Sequence, residues 1–165
     1  MKFENSPHNR FIDVYTDSDW AGDRISRKST SGGMLCVAGS IVKSWSKTQS
    51  IVARSSGEAE FYALIRGITE ALGLRSIGAD MGYDFQIRVH VDSSAAKSMV
   101  SRTGLGKTRH IQVEFLWAQD IMREKFIVCK KILGTENPSD LCTKPLNKSD
   151  MAYLLEKVGA TLVDS

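Results

Sequence analysis

The chain has 165 residues, 42% hydrophobic and 25% charged, with a formal net charge of +3. That length suits one compact core, and the composition excludes a disordered or fibrous polymer. The mild basic excess permits a polyanionic partner without requiring one. The three cysteines, Cys36, Cys129 and Cys142, are odd in number and widely spaced. They argue against a disulfide framework or a zinc site and for a reducing compartment. No stretch is long and apolar enough to span a membrane, and Met1 to Pro7 lacks the apolar core of a signal peptide.

Residues 1–9 read as a polar extension or linker, 10–158 as the folded domain and 159–165 as a tail. Phe11 to Thr16 predicts a first strand, followed by a long polar connection from Ser18 to Ser31. Gly33–Ala38 and Ile41–Ser46 predict a hairpin with Gly39-Ser40 at its turn. Ser55-Ser56 caps a long helix whose apolar stripe is Phe61, Leu64, Ile65, Ile68, Ala71 and Leu72. Gln86–Val91 predicts another strand, Ser93–Val100 a short helix, and Ile111–Lys125 a second long amphipathic helix. Phe126–Leu133 predicts the last strand, Pro138 opens a helical turn, and Met151–Val158 closes as a helix. This order predicts a mixed α/β sheet covered by helices.

Four acids stand out. Asp17 and Asp92 each end an apolar strand, and a right-handed crossover would lay those strands side by side and parallel. Both acids would then lie at carboxyl strand ends, where open α/β sheets place their sites, about 4.8 Å apart across the strands. A helix must supply a third ligand. Glu58 and Glu60 flank the apolar stripe on opposite sides, so periodicity leaves both open. Asp140 follows Asn137-Pro138-Ser139. Singly, Asp17 and Asp92 can be read as turn residues or caps, and Asp140 as a first-turn acid favoured by the helix dipole. Together, an all-oxygen set favours Mg²⁺ or Mn²⁺ and suits phosphodiester chemistry.

Several blocks carry a family resemblance. Tyr15-Thr16-Asp17-Ser18-Asp19-Trp20-Ala21-Gly22-Asp23, Ser56-Gly57-Glu58-Ala59-Glu60-Phe61-Tyr62-Ala63-Leu64 and His90-Val91-Asp92-Ser93-Ser94 resemble the ribonuclease H domain of copia-type LTR retrotransposon polyproteins. So do Lys107-Thr108-Arg109-His110 and Asn137-Pro138-Ser139-Asp140-Leu141-Cys142-Thr143-Lys144-Pro145-Leu146. The resemblance implies a ribonuclease H-like fold, with a five-stranded mixed sheet and helices on both faces. It implies cleavage of the RNA strand of RNA–DNA hybrids with two Mg²⁺ ions, Mn²⁺ substituting, beside the reverse transcriptase of the same polyprotein. The carried-over catalytic and metal residues are Asp17, Glu60, Asp92 and Asp140, and the Ala-Glu-aromatic block is what selects Glu60 over Glu58. The implied setting is intracellular, in a cytoplasmic virus-like particle or alternatively the nucleus. The alternative function is a catalytically silent nucleic-acid tether within a reverse transcriptase.

A hybrid presents phosphates and 2′-hydroxyls, so basic and hydroxyl side chains should flank the acids. The candidates are Ser29, Lys43, Trp45, Lys47, Arg102, Lys107, Arg109 and His110. Trp45 shares a strand face with Lys43 and Lys47 and can be read as a sugar platform or as a packed ring. His110 can be read as a proton shuttle or as a structural residue at a helix start. Asp19 can be read as extra charge near the metals or as a loop cap.

Overall fold

The computed structural model describes residues 10–101, 112–124 and 126–161. It contains β1 (Phe11–Asp19), β2 (Thr30–Val37), β3 (Ser40–Thr48), α1 (Ser56–Asp80), β4 (Gln86–Val91), α2 (Ser94–Ser101), α3 (Gln112–Arg123), β5 (Ile127–Lys131) and α4 (Lys148–Lys157). Two short 3-10 turns, Gly134–Glu136 and Pro138–Cys142, precede α4. The sheet order is β3-β2-β1-β4-β5. β1 runs antiparallel to β2 and parallel to β4, and β4 runs parallel to β5. The chain therefore has the mixed five-stranded α/β architecture expected of it.

Side-chain alternation explains the layers. Ile12 and Val14 of β1, Leu35 and Val37 of β2 and Ile87, Val89 and Val91 of β4 pack with Phe61, Leu64 and Ile68 of α1 and Ala118 of α3. Phe61 and Leu64 are fully buried, each contributing about 1.5–3 kcal/mol relative to exposure. The opposite face of β2 carries Met34 and Cys36, which pack with Val158, Leu141 and Cys142. With both faces covered, β2 reads as a continuous apolar run rather than an alternation.

The register of β1 against β4 sets up the site. Asp13 pairs across the strands with Arg88. It accepts from the Arg88 guanidinium at 2.8 and 2.7 Å and lies 2.7 Å from His90 Nε2. Burial would raise the Asp13 carboxyl, but the His90 and Arg88 hydrogen bonds hold it below the usual carboxylate range. Tyr15 lies opposite His90, so two residues further on Asp17 and Asp92 stand next to each other.

The β2–β3 turn departs from expectation. Val37 pairs with Ser40, so the turn residues are Ala38 and Gly39 rather than Gly39-Ser40. Both have positive φ, +54° and +73°. That is the left-handed pair whose twist matches a two-residue hairpin, with glycine absorbing the second position. β1 and β2 also run further than expected, to Asp19 and from Thr30. The Asp19 carboxylate accepts from Thr30 N and closes the connection between them.

Candidate active site

Asp17 lies near the end of β1 on the face away from α1 and is almost fully buried. Asp92 directly follows β4. Asp140 comes from the Pro138–Cys142 turn, which Asn137 locks in place. The buried Asn137 side chain donates to Thr16 O at 3.0 Å, and its Oδ1 accepts from Ser139 N at 3.3 Å and Ser139 Oγ at 2.6 Å. Oxygens of Asp17, Asp92 and Asp140 all lie within 4.8 Å of one another.

Gly32 makes that approach possible. It is the cross-strand partner of Asp17, and a Cβ there would lie 2.5 Å from Thr143 Cγ2 and 2.8 Å from Cys142 Cβ. The missing side chain lets the Asp140 turn rest on the strand, and Thr143 Oγ1 then donates to Asp17 Oδ2. Gly32→Ala should push the turn outward at an overpacking cost of about 1–3 kcal/mol. It should lower any metal-dependent activity roughly ten- to a hundredfold, since displacements near 1 Å cost that much. Rate assays beside thermal melts on the same variant measure both effects.

Glu60 stands just outside the trio. Its Oε1 accepts from Ser18 N at 3.3 Å and Ser18 Oγ at 3.1 Å. Glu58 is committed elsewhere: its backbone N–H donates to the Ser55 cap at 3.2 Å, and its carboxylate accepts from Arg54 N at 3.1 Å. This is a capping-box arrangement displaced by one residue. The two glutamates that periodicity left open thus have different surroundings, one at the helix cap and one at the acids.

The electrostatics fit a site short of positive charge. Burial, then Asp17 and Asp92, push Glu60 up to about 8. Burial and Asp17 raise Asp92. Burial, with Asp17 adding to it, raises Asp140 to about 6 against the pull of Lys144. Lys144, absent from the sequence-based candidates, reaches in with Nζ 3.0 Å from Asp140 Oδ1 and 3.3 Å from Asp17 Oδ2. Burial works against its charge, but the hydrogen bond to Asp140 and the charge of Asp17 outweigh that and raise it. An all-carboxylate cluster that already draws in a cation fits a hard divalent ion in its donor chemistry.

The expected substrate contacts are scattered. Ser29 is fully buried, and its hydroxyl accepts from Ala21 N at 3.0 Å, so it offers no surface to a substrate. Trp45 is buried in the core with its ring against Gly33, which leaves no platform for a sugar. Lys43 pairs with Glu70 of α1 at 2.6 Å. Lys47 is exposed at the end of β3. Arg102, Lys107, Arg109 and His110 lie outside the described residues. Asp19 caps its loop, as one of its two readings has it.

No family model matches the sequence. The chain is 31% identical over 147 residues to the retrovirus-related Pol polyprotein from transposon TNT 1-94 of Nicotiana tabacum, covering 88% of this chain and 11% of the polyprotein. Its fold matches the N-terminal RNase H domain of a Mycobacterium tuberculosis protein with TM-score 0.60 at 14% identity, covering 81% of this chain and 90% of that one. The chain has a ribonuclease H-like fold and is related to part of the retrovirus-related Pol polyproteins of plant transposons. This ribonuclease H-like chain also matches LC11-RNase H1, solved in complex with an RNA/DNA hybrid, with TM-score 0.60 at 21% identity over 79% of this chain and 92% of that one. A 60-residue stretch is 48% identical to secreted RxLR effector protein 161 of Plasmopara viticola, covering 36% of this chain and 42% of that protein. The chain spans about a tenth of the length of the polyprotein, 11%. Among the described residues no helix is long and apolar enough to cross a membrane.

Proposed function

We propose that the chain is a divalent-metal-dependent endonuclease that hydrolyses the RNA strand of RNA–DNA hybrids, as part of a polyprotein that also carries a reverse transcriptase. The observation that carries this reading is the convergence of Asp17, Asp92 and Asp140 within 4.8 Å, on a ribonuclease H-like fold. Asp17 and Asp92 would be the central ligands of Mg²⁺ or Mn²⁺, with Asp140 and Glu60 completing the flanks. Such ions, when bound, activate water and stabilise the leaving oxygen of a phosphodiester.

The chain's own groups have distinct tasks in this reading. Asp17, held by Thr143, is fixed before substrate arrives. Glu60, anchored by Ser18, orients the attacking water or a sugar hydroxyl through its free oxygen. Lys144 offsets part of the charge of Asp17 and Asp140, and its side chain, 43% exposed, would give way to a bound cation. A silent tether has no use for this cluster, because burying neighbouring carboxylates is costly without a bound cation.

Incubation of the chain with labelled RNA–DNA hybrid, single-stranded RNA and duplex DNA, in Mg²⁺ or Mn²⁺, tests this. Cutting should be confined to the RNA of the hybrid and abolished by chelation. Absence of cutting with either metal would favour the tether, and preferential cutting of DNA would refute the hybrid specificity.

A further inference from the structure

The connection between β1 and β2 carries side chains for which the acid cluster has no use. It leaves the sheet where Asp19 pairs with Thr30, two residues beyond Asp17. Arg24, Arg27 and Lys28 oppose the single acid Asp23 there, a surplus of +2 in a chain whose whole net charge is +3. Gly22 to Arg27 are all exposed. Ile25 stands among these cations at 96% exposure, the highest of the exposed large hydrophobic side chains described. An exposed apolar residue needs no explanation by itself. This one, however, is held in a built turn.

Asp23 N donates to Lys28 O at 3.2 Å, and Arg27 N donates to Asp23 O at 2.8 Å. The Asp23 carboxylate accepts from Ile25 N at 2.9 Å and from Ser26 Oγ, and Lys28 N donates to Ser26 Oγ at 3.3 Å. Arg27 takes a left-handed φ of +57°, which its Cβ makes costly. At the base, Trp20 Nε1 donates to Ala53 O at 3.2 Å and braces the connection against the chain leading into α1. The turn thus fixes Ile25 and its flanking cations before a partner arrives, which lowers the ordering cost of binding. An apolar centre framed by cations fits the minor groove of a duplex, where side chains pack between two rows of phosphates. Ile25 is eight residues after Asp17, at most about 28 Å of extended chain. The tip therefore lies within about one turn, roughly 34 Å, of a duplex bound across the acids.

We propose that the turn at Asp23–Lys28 is a second, sequence-independent clamp on the hybrid, away from the cut. Ile25 packs on sugars in the minor groove, and Arg24, Arg27 and Lys28 hold the phosphates at its edges. The proposal rests on the hybrid-nuclease reading. It is tested with the full chain by fluorescence anisotropy in Ca²⁺, on a long hybrid and on one too short to reach from the acids to the turn. The double variant Arg24→Gln/Arg27→Gln should flatten the slope of log affinity against log salt by about 2 on the long hybrid. Ile25→Ser should weaken binding of the long hybrid roughly tenfold and leave that slope unchanged. Both variants should bind the short hybrid as wild type does, with their folds checked by circular dichroism. If they bind the long hybrid like wild type, or lose equally on the short one, the clamp is refuted while the nuclease reading stands. If the chain neither binds nor cleaves any hybrid, the parent reading falls and the clamp with it. Binding to anionic lipid vesicles that Ile25→Ser abolishes would then assign the turn to a membrane surface instead.

Discussion

Asp92→Asn should lower hybrid cleavage by more than about 100-fold, beyond the 10- to 100-fold typical of losing a group that merely supports a metal ligand. Asparagine keeps the shape of the side chain and removes its charge and one hard oxygen. The same change should not weaken the metal-free fold. Burial and the nearby Asp17 both disfavour the Asp92 anion, so removing the charge relieves repulsion. Cleavage assays paired with melts in EDTA read both outcomes. Loss of activity with an unchanged or raised Tm is expected, and near-wild-type cleavage would remove Asp92 from the site.

The pH dependence of stability is the second large effect, and its sign follows from the raised acids. Glu60 shifts from an ordinary 4.5 to about 8 and Asp140 from 3.8 to about 6. Between the unfolded and folded values the native chain holds protons that the unfolded chain releases. Stability therefore falls as pH rises from about 4 to about 8. Asp13, held low by His90 and Arg88, acts only below its ordinary value and leaves this window alone. Glu60→Gln should flatten the fall above pH 6. Mg²⁺ at 100 times its dissociation constant should add about 2.7 kcal/mol, or roughly 5–11 °C in Tm for a chain of this size. At fixed Mg²⁺ the gain should be larger at pH 8 than at pH 6, because the ion competes with the same protons. A metal-free stability that climbs across this window would contradict the electrostatics of the cluster.

Much of the architecture was legible because it rests on local pattern. The alternation in Gln86–Val91 and the long stripe from Phe61 to Leu72 mark the strand beside β1 and the helix over it. The pairing of Glu58 with the Ser55 cap also left a trace, since Ser55-x-x-Glu58 has capping-box spacing. Applied to the two glutamates, that spacing breaks a tie which helical angle leaves open. Of the two readings of Trp45, sugar platform or packed ring, the second holds for a tertiary reason. Trp45 shares its face with two lysines, but α1 covers that face, so the ring is buried while Lys43 extends past the edge to Glu70. Lys144 was invisible for a similar reason. Four residues after Asp140 it reads as one more surface cation, and only the turn resting on Gly32 brings it against Asp17.

The central claim is that Asp17, Asp92 and Asp140, flanked by Glu60, form one divalent-metal site. Crystals of the chain grown with Mn²⁺, with data collected at the manganese absorption edge, test it most directly. The account predicts anomalous density among the three aspartates, with Lys144 displaced from Asp17 and Asp140. Bound manganese elsewhere, with Lys144 still seated between those two carboxylates, would contradict it.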